Sequence, residues 1–167
     1  MSEVLFELPP ITRWKLAKET ADRLTSQFST PPMPIVEIAE ANGVQVILAD
    51  FGKFHEKVAG FCDFEGAKLF VNQEDIPVRR TFTIAHELGH WLLHREFFQK
   101  HPEAYPILPR FPSAAPRNAL EQEANCFAAN LLVPSRLLQP ILGAPVSVLA
   151  SIFQVSKTMM EFRLKNV

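Results

Sequence analysis

The chain reads as α+β: a helical domain with a small three-stranded antiparallel sheet packed beside one central helix. Three observations carry that expectation. Residues 81–94, TFTIAHELGHWLLH, make a helix-length stretch whose only ionisable groups are Glu87 and the histidines His86, His90 and His94. A helix apolar on nearly every side is normally buried and central. Three short runs, 44–49, 59–64 and 68–72, are rich in β-formers, and the last two flank Glu65-Gly66 at hairpin spacing. A second long helical pattern, 117–133, follows a proline-rich gap and stops at Pro134.

Taken in order, 12–28 reads as a helix, with Thr12 as N-cap and Trp14, Leu16, Ala17, Leu24 and Phe28 loosely periodic. Pro31, Pro32 and Pro34 end that region, since proline is excluded from a helix interior. A helix over 34–42 follows, with Gly43 placed as its C′ stop. The strand at 44–49 is the expected neighbour of the hairpin. Asp75 reads as a capping carboxylate before Pro77 in a first turn, with the histidine-bearing helix running from about residue 78. Prolines 102, 106, 109, 112 and 116 leave 101–116 as a loop without regular structure, lying over or beside the central helix. Beyond Pro134, helical pieces are expected at 135–142, 147–153 and 156–164, with Ser147 and Ser156 as N-caps.

The bounds are those of a soluble globular protein. At 167 residues the chain suits one domain that buries about two-thirds of its unfolded surface. Within it, 1–30 reads as an N-terminal helical extension, 31–142 as the main domain and 143–167 as a C-terminal helix pair on the same core. A net charge of −1 gives no general affinity for polyanions. No secretory leader and no membrane span is expected. Cys62 and Cys126 suit neither a metal knuckle nor a disulfide framework, so a reduced, cytoplasmic protein with two packing cysteines is expected.

His86-Glu87-Leu88-Gly89-His90 is the H-E-x-x-H pattern. Four residues apart on a helix, two imidazoles lie one turn above each other and can close on one Zn²⁺. Glu87 stands about 100° around from His86, at the edge of that face, where a base is needed to take a proton from water. A catalytic zinc usually has three protein ligands. A third histidine in the spacing H-E-x-x-H-x-x-G-x-x-H would need glycine at 93 and histidine at 96, where Leu93 and Glu96 stand. His94 is a turn too far along and reads as a support or surface residue. Glu121 falls on the inward stripe of 117–133 with Asn125, Ala128 and Leu132, which makes it the expected third ligand. Glu123, on the more polar side with Gln122, Cys126 and Asn130, is the alternative. Asn125 is placed to accept a ligand imidazole's distal N–H. Tyr105, the one tyrosine, is a candidate donor to a reaction oxyanion.

The segments 79–94 (RRTFTIAHELGHWLLH) and 120–134 (LEQEANCFAANLLVP) resemble the ImmA/IrrE family of zinc metallopeptidases, with weaker likeness at 31–44, 59–72 and 149–164. The resemblance implies a zincin-like core with a gluzincin-type zinc site, so that 31–142 becomes a zincin-like metallopeptidase domain. It implies His86 and His90 as ligands, Glu87 as base and Glu121 as third ligand, with Asn125 where gluzincins frequently have aspartate. It also implies a bacterial or phage stress, mobile-element or toxin–antitoxin-like setting. There, such proteins cleave or otherwise inactivate a helix-turn-helix repressor of the XRE type. A different class stays open, a zinc-containing regulatory or toxin-like protein that acts by binding a partner. The two C-terminal helices have a helix-turn-helix rhythm. With only Lys157, Arg163 and Lys165 against Glu161, contact with protein or core packing is expected there rather than direct nucleic-acid binding.

Overall fold

The computed structural model describes residues 9–110 and 118–166. Seven α-helices and a four-stranded sheet make up this part. The helices are α1 (Trp14–Thr25), α2 (Ile35–Ala41), α3 (Pro77–Lys100), α4 (Ala119–Leu132), α5 (Ser135–Leu138), α6 (Val146–Phe153) and α7 (Lys157–Lys165). The strands are β1 (Gln45–Ala49), β2 (Val58–Asp63), β3 (Lys68–Asn72) and β4 (Leu108–Pro109).

Helix α3 is the axis of the molecule. Its 24 residues rise about 36 Å, and every residue from Thr83 to Trp91 is buried. One flank packs on α4 and the other on β2 and β3. Two glycines permit these approaches. A Cβ on Gly60 of β2 would lie 2.5 Å from the Phe70 carbonyl oxygen and 2.6 Å from Thr83 Cγ2. A Cβ on Gly89, inside the H-E-x-x-H segment, would meet Phe127 Cδ1 at 3.0 Å and Ala124 Cα at 3.3 Å. Small residues there let α3 and α4 come close enough for their side chains to share a site. Around the seam the core is closed by Ile84, Leu88, Trp91, Phe127, Leu131 and Leu132, and from the C-terminal side by Leu149, Phe153 and Met160.

The sheet differs from the three antiparallel strands expected. Its order is β1-β3-β2-β4, and β1 runs parallel to β3. The β2–β3 hairpin is antiparallel as expected, Phe61 facing Phe70. The connection from β1, containing a 3₁₀ turn at Gly52–Phe54, leads to β2 while leaving room for β3 to enter between them. The fourth strand comes from the proline-rich stretch. Residues 101–110 hold a 3₁₀ turn at Pro102–Ala104 and then pair Leu108–Pro109 with Val58 and Gly60. An edge strand tolerates proline because its outward N–H needs no partner. Pro112 and Pro116, and the start of the 117–133 pattern, lie outside the described residues.

Several caps also differ. Helix α1 begins at Trp14 without a side-chain cap, and the Thr12 hydroxyl bonds Gln122 of α4 instead. Asp75 does not cap α3; it accepts from Arg110 Nε at 2.5 Å, while Pro77 opens the helix as expected. Helix α6 starts one residue before Ser147, after Pro145. The expected 135–142 helix shortens to α5 plus a 3₁₀ turn at Gln139–Ile141, where Pro140 has no N–H to continue the α pattern. Gly43 follows α2 at φ +88°, the left-handed stop its sequence position suggested. Ser156 caps α7, its Oγ accepting from Met159 N at 3.1 Å.

The C-terminal pair packs into the core through Leu149, Phe153, Val155, Met159 and Met160. Arg163, counted above among basic residues, is wholly buried and gives its N–H groups to Val133 O, Asn166 O and Ser135 Oγ. It is therefore withdrawn from any phosphate. Among the described residues no helix is long and apolar enough to cross a membrane.

Candidate metal centre

Helix α3 presents His86 and His90 on the face that meets α4. Helix α4 begins with Asn118, whose side chain accepts from Glu121 N at 2.8 Å. This places Glu121 in the first turn, where the helix dipole favours a carboxylate. The Asn-x-x-Glu spacing is the sequence signal for that start. Glu121 Oε1 lies 2.6 Å from His90 Nε2, and Oε2 lies 3.5 Å from His86 Nε2. Donor atoms of His86, His90 and Glu121 all fall within 4.8 Å of one another.

Each imidazole is oriented from behind. His86 Nδ1 is 2.8 Å from Asn125 Oδ1. Asn125 Oδ1 can only accept, so His86 carries a proton on Nδ1 and turns Nε2 toward Glu121 Oε2. That Nε2 is buried without a hydrogen-bond partner among the described residues. His90 Nδ1 is 2.9 Å from His94 Nδ1, which puts His94 directly behind His90. A buried ring nitrogen without a partner is costly unless a ligand meets it. Two imidazole nitrogens and a carboxylate are the donors zinc takes in a three-ligand site, so these residues fit a divalent metal.

Glu87 is fully buried beside this cluster. One oxygen, Oε2, accepts from the Tyr105 hydroxyl at 2.5 Å; the other, Oε1, has no hydrogen-bond partner among the described residues. Burial raises its pKa to about 7, with the charge of His86 and the Tyr105 hydrogen bond pulling the other way. Burial likewise pushes His90 down to about 4, against the pull of Glu121, which keeps its imidazole neutral at ordinary pH. Burial also opposes the charged form of Glu121, yet His86 and His90, whose Nε2 atoms face it, hold its carboxyl well below the usual carboxylate range.

Tyr105 arrives on the 101–110 segment and packs edge-on against Phe64 and Phe98. Its hydroxyl proton is engaged by Glu87, and its oxygen accepts from Cys62 N–H at 2.7 Å. The hydroxyl thus sits on the carboxylate rather than standing free to meet an oxyanion. Cys62 takes part through its backbone, and burial raises its thiol far above the ordinary range. Both cysteines are free thiols.

Glu123 is displaced from the role of alternative ligand. Its carboxylate accepts from Arg13 and from His94 Nε2, on the far side of His94 from the three-donor cluster. Nor does it lie on a polar face: it is fully buried, as is most of Asn130, because α1 covers that side of α4. Arg13 is the residue here that sequence patterns did not single out. One surface arginine ahead of a helix carries no local signal of its partner 110 residues away.

An α+β domain with two histidines and a glutamate converging on one point, and a buried glutamate beside them, has the layout of a metal-dependent hydrolase. The chain belongs to the IrrE N-terminal-like domain family of peptidases, whose profile matches residues 39–165. Among solved structures it is similar in fold to a Mycobacterium tuberculosis transcriptional regulator, with a TM-score of 0.64 at 19% identity. That match covers 88% of this chain and 54% of the regulator, so the chain spans about half the regulator's length. No curated protein sequence matches significantly.

Proposed function

We propose that the protein is a zinc-dependent endopeptidase of the ImmA/IrrE type, acting in the cytoplasm on a helix-turn-helix repressor or antitoxin of the XRE kind. The observation that carries this reading is the pairing of a three-donor cluster with a buried, partly unpartnered Glu87. His86, His90 and Glu121 would hold the ion, which when bound supplies a Lewis acid that acidifies water and polarises a peptide carbonyl.

The chain's own groups do the rest. Glu87, with Oε2 fixed by Tyr105 and Oε1 free of partners, takes a proton from the attacking water. The water oxygen adds to the carbonyl carbon, the C–N bond breaks, and Glu87 returns the proton to the departing amine. Tyr105 holds the base in orientation. Asn125 keeps the His86 ring turned so that Nε2 faces the cluster. Membership of a peptidase family supports the hydrolytic part of this reading, and the fold shared with a transcriptional regulator supports its regulatory part.

Incubation with an XRE-type repressor encoded beside the gene, with and without a chelator, tests the proposal. Chelator-sensitive fragments are expected, and Glu87→Gln should abolish them while keeping about one zinc per chain. A stable complex with both chains intact would instead favour a zinc-containing partner protein that works by binding. The exposed Val148, Ile152 and Phe162 on the C-terminal pair would then be the place to look for its contact.

A further inference from the structure

Cys126 and Asn130, one turn apart on α4, lie roughly opposite the stripe that carries Glu121 and Asn125. Helices α1 and α7 each pack against α4. At their junction is a cavity of about 440 Å³, lined by Trp14 and Lys18 of α1, Cys126 and Asn130 of α4, and Phe162 and Arg163 of α7. That volume falls in the range of small-molecule sites, about 300–1,000 Å³. Three properties of the lining select a ligand. Trp14 and Phe162 are 51% and 47% exposed, so they offer aromatic surface that the core does not use. Asn130 is only 4% exposed. Its Nδ2 donates to the Cys126 carbonyl at 2.8 Å and lies 3.6 Å from the thiol, which leaves Oδ1 as the polar atom it offers the cavity. That buried oxygen has no hydrogen-bond partner among the described residues. Finally, two cations and no carboxylate line the cavity. Lys18 makes no ion pair among the described residues. Arg163 gives its N–H groups to neutral oxygens alone, and Asp22, the acid whose charge acts on it, is exposed and outside the lining.

We propose that this cavity binds a small aromatic carboxylate that carries an O–H or N–H donor on its ring. The ring lies against Trp14 and Phe162. The ring donor meets Asn130 Oδ1, which otherwise stays unpaired at a cost. The carboxylate faces Lys18, and the charge of Arg163 adds to the field from beneath the wall. Arg163 is 0% exposed and does not itself touch the ligand. A phosphate fits the lining less well, because such groups are held by guanidinium forks or by N–H groups at helix N-termini. Here the guanidinium is engaged, and Lys18 is the one cation within reach. The site lies on the other side of α4 from His86, His90 and Glu121 and does not rest on the metal reading.

The experiment titrates the full chain with para-hydroxybenzoate and with indole carboxylate by calorimetry. Alkylation of Cys126 is followed by mass spectrometry, with the buried thiol of Cys62 as internal reference. One molecule per chain is expected, with Cys126 protected at saturation. Benzoate, which lacks the ring donor, should bind about 2–10-fold more weakly, the worth of one hydrogen bond. Lys18→Met should weaken both acids by about 2–5-fold, and Phe162→Ala by about 2–10-fold. Both side chains are at least partly exposed, so the variants should melt close to the wild type. Lys15→Met, on the same helix in an exposed ion pair with Glu19, should bind as the wild type does. The proposal is overturned if neither acid binds saturably, or if binding leaves Cys126 as reactive as before. It is equally overturned if Lys18→Met and Phe162→Ala both bind at wild-type affinity, or if adenosine monophosphate binds more tightly than either acid.

Discussion

Glu121 and Glu123 leave α4 two residues apart and end in opposite electrostatic surroundings. On one side of the α3–α4 seam, Glu121 keeps 16% of its side chain exposed and faces only imidazoles. Among the described residues no lysine or arginine pairs with it, and His86 Nε2 beside it has no hydrogen-bond partner. On the other side Glu123 is sealed at 0% exposure, with Arg13 bound to both oxygens and His94 closing the remaining position. The sealed side ties α1 to α4 and closes behind His94; the other side offers His86, His90 and Glu121 donor atoms within 4.8 Å of one another, a set that could hold an ion. One helix thus carries one carboxylate closed by a guanidinium and one facing two imidazoles, distinguished by what lies across from each.

The largest effect expected on that contrast is at the base. Glu87→Gln should lower cleavage by about 10²–10⁴-fold, the usual worth of a positioned general base, with zinc stoichiometry intact; comparable cleavage by the variant would remove Glu87 from the chemistry. Next comes the exchange of roles between the two glutamates. Glu121→Ala should abolish stoichiometric zinc binding while leaving the metal-free fold as stable as wild type or more so. Glu123→Ala should do the reverse in kind, destabilising the fold by about 1–3 kcal/mol through the unpaired donors of His94 and Arg13. Parallel metal titrations and denaturant melts would expose the contrast as false if both variants behaved alike.

Acid–base behaviour sharpens it further. The Glu87 carboxyl rises from 4.5 to about 7 in the fold. Between those values the folded chain keeps a proton that the unfolded chain has released, so rising pH across this window removes stability, by at most about 1.4 kcal/mol per unit. Glu87→Gln lacks that penalty. Its metal-free stability relative to wild type should therefore climb from about pH 5 to about pH 7 and then level off. A difference that stays flat in denaturant melts across the range would mean that Glu87 ionises in the fold as it does in water. Smallest is Tyr105→Phe: losing one hydrogen bond to a charged group, worth about 1.5–3 kcal/mol, should cut cleavage about 10–100-fold. Because that bond lowers the pKa of Glu87, the acid limb of the rate profile should move to higher pH.

Much of this was open to inspection in the chain itself. The spacing of His86, Glu87 and His90, the absence of other charge from 81–94, and the inward stripe through Glu121 and Asn125 all depend on helical periodicity. Periodicity is local and survives without knowledge of neighbours. The same holds for the hairpin at Glu65-Gly66 and for Gly43 and Pro77 as helix punctuation. Other features were settled by contacts between distant segments. Parallel pairing of β1 with β3, and β4 from a proline-rich stretch, depend on which edges are vacant once the hairpin has folded. Helical position alone put Glu123 on a polar face, but α1 covers that face and turns it into interior. Tyr105 meets Glu87 only because the 101–110 segment is drawn back along β2. Sequence alone therefore determined which residues share a face of a helix, since that follows from the turn of a single backbone. Which faces meet, and so which carboxylate is closed in by a guanidinium and which faces two imidazoles, was decided by tertiary packing, because compensating a buried charge takes groups from separate parts of the chain.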